Sequence, residues 1–204
     1  MAFTYFFRDL QTIELAVKHL VDSSRGRSTV RIWDAGCAMG QEAYTLAIVL
    51  AESMGYFAFK NVRIDATDYD GSNLFGDIIA NGVYPDEETQ RIPRELFTKY
   101  FAACDDKPGH SRLIDLIRSR VVYRKHDLLS LDPPGNDYSL ILCKNVLLHF
   151  QAGERVEVMK MYHRCLVPGG LFATEQTQKL PDELLDIFEP VVPDAQLYRR
   201  KLTS

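Results

Sequence analysis

The chain has 204 residues, 46% apolar and 25% charged, the proportions of one soluble globular domain with enough apolar surface for its own core. A formal net charge of −4 provides no broad basic face for nucleic acid, and no apolar run approaches the roughly 20 residues of a membrane span. Cys37, Cys104, Cys143 and Cys165 form no close pair, and MAFTYFFRDL has an early acid and no signal-peptide pattern, so the expectation is a reduced, cytoplasmic chain with neither disulfides nor a metal site.

Residues 12–22 carry Ile13, Ala16, Val17, Leu20 and Val21 at helical spacing, which predicts an amphipathic helix. SSRGR breaks it. TVRIWDA is a strand, QEAYTLAIVLAESMG a helix closed by Gly55, and NVRIDATD a second strand. A short helix is expected over 72–80. Residues 82–120 are less regular, with a helix over 94–101 and a turn at DDKPGH. VVYRKHDLL reads as a strand and its exit. DYSLILCKNVLLHF opens as a strand, with helix following through Cys165. VPGG stops that helix, GLFATEQT is another strand, and the tail holds a helix over 182–188 and a strand over 196–201. Strands alternating with helices imply an α/β fold with a parallel sheet covered on both faces. Such sheets bind ligands beyond the carboxyl ends of their strands.

RIWDAGCAMGQEAY raises the question of what approaches the backbone there. Asp34, Gly36 and Gly40 stand where the first strand turns into a helix, and glycine permits tight turns and close approach. The spacing is not GxGxxG, and no Gly-Lys-Ser/Thr follows. An acid at the strand end repels phosphate and suits a cationic ligand such as S-adenosylmethionine, with its ammonium and sulfonium. The next strand ends at Asp68, placed to take ribose hydroxyls. The third ends at Asp127 and Leu128, placed for an adenine amino group and ring; Asp127 is equally suited to cap a helix. The fourth ends CKNVLLHF, bringing Lys144, Asn145 and His149 to the same rim.

FFRD at residues 6–9, WDAGCAMGQEAYTLAI, ATDYD, the Tyr100-Phe101 pair, HDLL, CKNVLLHF and LVPGGLF together resemble the chemotaxis-receptor, CheR-type methyltransferases. The resemblance starts at Thr4 and covers nearly the whole chain. It implies a Rossmann-like class I methyltransferase: a mostly parallel, seven-stranded sheet with helices on both faces and a small inserted β-subdomain. It implies one catalytic domain over 1–204 with a β-hairpin insertion at 100–120, turning near 106–110, which in relatives docks a receptor tail. It implies S-adenosylmethionine as cofactor, bordered by Thr4, Arg8, Asp34, Ala35, Gly36, Gly40, Glu42, Asp68, Asp127, Leu128 and Asn145, with Glu42 meeting the ammonium. The implied substrate is a glutamate on a receptor or signalling protein. This chain departs from the family with Gly40-Gln41-Glu42-Ala43-Tyr44-Thr45 for GEEPYS, Asp127 for asparagine, Lys144 for arginine, His149 for tyrosine, and Gln176-Thr177 for a serine–glutamate pair. A basic, helical N-terminal domain of relatives is expected to be absent.

A carboxylate acceptor is already anionic, so methyl transfer to it needs orientation and a dry site more than a base. Arg8, Lys144 and His149 are therefore the expected catalytic set, by orientation and charge recognition, and Tyr5, Phe6 and Phe7 are candidates to wall the cleft. Two alternatives stand beside this: transfer to a hydroxyl or amine with His149 as base, and a non-catalytic module that binds S-adenosylmethionine or S-adenosylhomocysteine and regulates a partner.

Overall fold

The computed structural model describes residues 4–24 and 26–202. Its elements in chain order are α1 (Leu10–Ser23), β1 (Val30–Ala35), α2 (Gln41–Met54), α3 (Tyr56–Phe59), β2 (Val62–Asp68), α4 (Phe75–Asn81), β3 (Val83–Pro85), α5 (Asp86–Thr89), α6 (Arg94–Tyr100), β4 (Phe101–Ala103), β5 (His110–Leu113), α7 (Asp115–Arg118) and β6 (Val121–Lys125). They continue with β7 (Tyr138–Cys143), α8 (Ala152–Cys165), β8 (Leu166–Thr174), β9 (Phe188–Pro190) and β10 (Leu197–Arg200).

The main sheet has seven strands in the order β6-β2-β1-β7-β8-β10-β9. The pairs from β6 through β8 are parallel, and β10 runs antiparallel to both β8 and β9. This is the Rossmann-like α/β architecture of class I methyltransferases. Strand order reverses beside β1, so the crevice for a ligand opens at the carboxyl ends of β1 and β7. All six residues of β7 are buried, as expected of a strand covered on both faces. Side chains alternate between two cores. Ile32, Leu142 and Leu171 face the α1–α2 side, while Trp33, Cys143 and Phe172 face α8.

A second, three-stranded antiparallel sheet, β3-β5-β4, sits between β2 and β6 in the chain. Phe6 is fully buried and packs edge-on against Tyr84 of β3 and Phe101 of β4, with ring centroids 4.9 and 5.6 Å away. The N-terminal segment thereby pins this sheet to the body. Phe6 is core, and neither it nor Phe7 lines the cleft as the sequence had suggested; Tyr5 instead lies under the Arg91 guanidinium, 4.1 Å from its ring centre.

Three expectations need correction. The helix after β7 does not start at once: Asn145 takes a left-handed φ of 59°, a 3-10 turn covers Leu147–His149, and α8 begins at Ala152 behind a reciprocal Gln151–Glu154 capping box. The VPGG segment does not interrupt between helix and strand but forms the start of β8, with a register shift near Tyr138 and Leu140. The tail shows only a 3-10 turn at Asp182–Leu184, and Phe188 opens an edge strand. Four apolar residues in seven, at 184, 185, 187 and 188, were too few to distinguish strand from helix by period.

Candidate active site

The β1–α2 turn is strapped to the end of β2. Gly36 and Cys37 donate their amides to the Thr67 carbonyl at 2.7 and 3.0 Å, and the Ala38 amide donates to Asp68 Oδ2 at 2.9 Å. Gly36 has φ 103°, and a Cβ there would meet Val146 Cγ2 at 2.1 Å. Only glycine fits both constraints. Of eight non-glycine residues with positive φ among the described residues, Ala38 (48°) and Asn145 (59°) line the cavity at the strand ends, and Asp9 (49°) lies beside Asn145. Such backbone is uncommon and concentrates where a site is preformed.

A cavity of about 730 Å3 opens over these strand ends, within the range of small-molecule sites. Of the residues expected from the sequence, Thr4, Arg8, Gly36, Glu42, Asp68, Asp127, Leu128, Lys144, Asn145 and His149 all line it. Asp34, Ala35 and Gly40 do not. Asp34 and Ala35 are buried behind the wall, and the space beside Gly40 is filled by Ile79 and the Tyr84 hydroxyl. Tyr69, Leu129 and Leu148 add an exposed apolar rim that the sequence reading passed over.

The acids do different work. Asp68 accepts from Ala38 at 2.9 Å and from the Asp70 amide at 3.3 Å, and so holds the turn while facing the cavity. Asp127 accepts from the Leu129 amide at 2.9 Å and caps the 3-10 turn at Leu128–Ser130. The Glu42 carboxylate is nearly buried. Its Oε2 accepts from Lys144 Nζ at 2.9 Å, and its Oε1 has no partner among the described residues. The Lys144 side chain has no exposed surface. It also donates to the Arg8 carbonyl at 3.2 Å and lies 3.8 Å from Asp9 Oδ2. Lys144 is therefore committed to Glu42, contrary to the free substrate-recognising cation inferred from sequence. Arg8, with 28% of its side chain exposed, and the exposed His149 and Asp127 are polar groups at the outer rim.

Behind Glu42, Asp34 is fully buried, with no N–H or hydroxyl donor to either carboxyl oxygen among the described residues and with the Glu42 carboxyl as its hydrogen-bonding neighbour. Burial, and then the Glu42 charge, push its carboxyl well above the usual carboxylate range, with Lys144 offsetting part. A further acid was missed. Glu175, at the end of β8, accepts from the Asn145 amide at 2.9 Å and the Thr174 hydroxyl at 2.7 Å, fixing the strained residue. An acid at a fifth strand end was the available signal. Among the described residues no His, Cys, Asp and Glu cluster could hold a metal, all four cysteines are free and buried, and no helix is long and apolar enough to cross a membrane.

Residues 2–192 match the family model described as "CheR methyltransferase, SAM binding domain". The chain is 31% identical over 195 residues to Chemotaxis protein methyltransferase 1 of Pseudomonas aeruginosa, covering 88% of this chain and 68% of that protein. It is 30% identical over 171 residues to Chemotaxis protein methyltransferase 2 of the same organism, covering 83% of this chain and 60% of that one. It is also 30% identical over 172 residues to an uncharacterized 104.1 kDa protein of Rhodobacter capsulatus, covering 82% of this chain and 17% of that protein. The chain thus spans from about a sixth to about two thirds of the length of these relatives.

Proposed function

The chain belongs to the CheR methyltransferase family, and from that premise we propose that it is an S-adenosylmethionine-dependent methyltransferase that forms glutamate methyl esters on a chemotaxis or signalling protein in the cytoplasm. The observation that carries this reading is the buried Glu42 Oε1, which no N–H donor reaches among the described residues, on the wall of a cavity that also presents Gly36, Asp68 and Leu128. These residues fit the cofactor. Glu42 would hold its ammonium, Asp68 its ribose hydroxyls, and Asp127 with Leu128 its adenine. When bound, S-adenosylmethionine supplies a methyl group on a sulfonium.

The chain's own residues orient and exclude water. Gly36 lets the backbone come close, and the apolar rim of Leu129 and Leu148 dries the mouth, which strengthens every charge interaction inside. Lys144 holds the Glu42 carboxylate in place through the 2.9 Å contact to Oε2. A glutamate acceptor is already anionic, so no cavity residue must remove a proton. With Lys144 committed to Glu42, Arg8 is the cation we assign to steer that carboxylate, and His149 is a neighbour at the rim. Residues 1–204 would act as one catalytic domain, with the insertion at 100–120 meeting the protein substrate.

Calorimetry with S-adenosylhomocysteine and a labelled-methyl transfer assay on lysate test the reading together. Binding, and label on a protein released by mild alkali, are expected. A label stable to alkali would turn the acceptor to a hydroxyl or amine, and absence of binding at millimolar ligand would defeat the cofactor assignment.

A further inference from the structure

Asp34 stands at the end of β1 and interacts electrostatically with charged or titratable groups on the neighbouring elements. These are Glu42 on α2, Lys144 and Cys143 at the end of β7, Asp68 at the end of β2, Cys37 in the turn and Tyr162 on α8. Lys144 is the one cation in that set. It is already bound to Glu42 Oε2 at 2.9 Å, and Lys144 and Asp34 are both shut off from solvent. Two carboxyls and one ammonium therefore share a buried cluster. Low-dielectric surroundings do not tolerate an uncompensated charge, so one carboxyl must hold a proton; Glu42 already has the lysine, so the proton sits on Asp34, in hydrogen-bond reach of the Glu42 carboxylate.

We infer that Asp34 is a positioning residue for the amino-acid end of the ligand: it stands neutral beside the Glu42–Lys144 pair and releases its proton when a second ammonium reaches Glu42 Oε1. The inference rests on the cofactor reading above and deepens it. With two cations on one carboxylate, the buried acid that can supply a further charge is Asp34, which interacts with both Glu42 and Lys144. Its O–H bond breaks, the electron pair stays on Oδ, and the proton passes to bulk buffer. The resulting carboxylate compensates the ammonium locally, on the side away from the ligand's own carboxylate, and fixes the ammonium and Lys144 in place. A neutral side chain could fill the same space, but it could not supply this charge. Ligand binding is thereby coupled to proton release, and affinity increases with pH while Asp34 titrates, by up to about tenfold per pH unit for one linked proton.

The test is titration calorimetry of the whole chain with S-adenosylhomocysteine in buffers of different ionisation enthalpy, which counts protons exchanged. The wild type is expected to release about one proton per ligand. 5′-Methylthioadenosine, which lacks the amino-acid end, is expected to release none. Asp34→Asn should bind S-adenosylhomocysteine without the release and with a flat pH dependence of affinity. Binding of S-adenosylhomocysteine with no buffer-dependent heat, equal release with 5′-methylthioadenosine, or release persisting in Asp34→Asn would each overturn the inference while leaving the cofactor reading intact. If Asp34→Asn does not fold, the two wild-type ligands decide. Absence of all binding removes the cofactor reading and this inference with it.

Discussion

Asp34 and Asp65 lie on neighbouring strands of one sheet, a residue apart in register, and neither side chain touches solvent. Asp65 is saturated. Arg31 Nη2 donates to it at 2.7 Å, Arg63 Nε at 3.2 Å and the Tyr138 hydroxyl at 2.9 Å. Burial alone would push its carboxyl up, but the hydrogen bonds from Arg31 and Tyr138 and the charge of Arg63 outweigh this and hold it below the ordinary range. Asp34 has no such donors, and its carboxyl moves the other way. One buried charge is paid for within the fold; the other is left open beneath a cavity. The difference separates an acid that stabilises the sheet from one available to a ligand.

The same substitution at both positions should give opposite results, and this is the largest expected effect. Asp65→Asn places an amide against two guanidiniums and should cost about 3 kcal/mol, the low end for breaking a buried pair because Arg31 and Arg63 keep some solvent. Asp34→Asn should cost nothing at pH 7 or stabilise slightly, since the folded state no longer has to retain a proton that the unfolded chain releases. Urea denaturation measures both. The pH dependence has opposite signs. Stability from the depressed Asp65 is whole above the ordinary carboxylate value near roughly 3.9 and is lost as pH falls through its folded value. Stability from the raised Asp34 is whole below roughly 3.9 and is lost as pH climbs toward its folded value. A loss of several kcal/mol at Asp34 would erase the contrast.

A double-mutant cycle sharpens it. In Glu42→Gln, Lys144 loses its anion, and Asp34 should ionise to replace it. Glu42→Gln should therefore be mild alone and costlier in an Asp34→Asn background, where Asp9 at 3.8 Å is the remaining acid near Lys144. The expected coupling is about 2 kcal/mol; additive losses would show that Asp34 does not respond to the cluster.

Asp127 is the intermediate case, with its Oδ1 used as a cap and the carboxylate on the cavity wall. Asp127→Ala should cost about 1 kcal/mol of stability through the lost cap, while Asp127→Asn keeps it. If the side chain also reads an adenine amino group, the Ala variant should lose about tenfold in S-adenosylhomocysteine affinity and the Asn variant much less. Equal affinities in all three proteins would assign it to the cap alone.

The smallest effect tests whether any orphaned buried group marks a site. His163 Nε2 is buried without a partner among the described residues, yet it is remote from the cavity lining. Burial, and then the charges of Arg200 and Arg164, lower its pKa. Its contribution to stability is whole above the ordinary histidine value near 6.5 and is lost as pH falls below it. His163→Phe should flatten this by less than about 1 kcal/mol and leave ligand binding unchanged; a changed affinity would make orphaned groups a poor guide.

Much of this was legible in the residues. The β1–α2 turn, the acids Asp68 and Asp127 after their strands and the rim residues Lys144, Asn145 and His149 follow from local pattern, because alternating elements place strand ends side by side. Boundaries failed where local signals were weak, as at Phe188, or where an unusual φ was held from afar, as at Asn145 by Glu175. What only the tertiary structure decided is which charges meet. Lys144 and Glu42 are 102 residues apart in sequence, and nothing local says that the lysine turns inward and not toward substrate. Asp34 and Asp65 are both acids within apolar strands, and the sequence treats them alike. Partner number and burial depend on packing between distant segments, and these set whether a carboxyl is charged, neutral or ready to change.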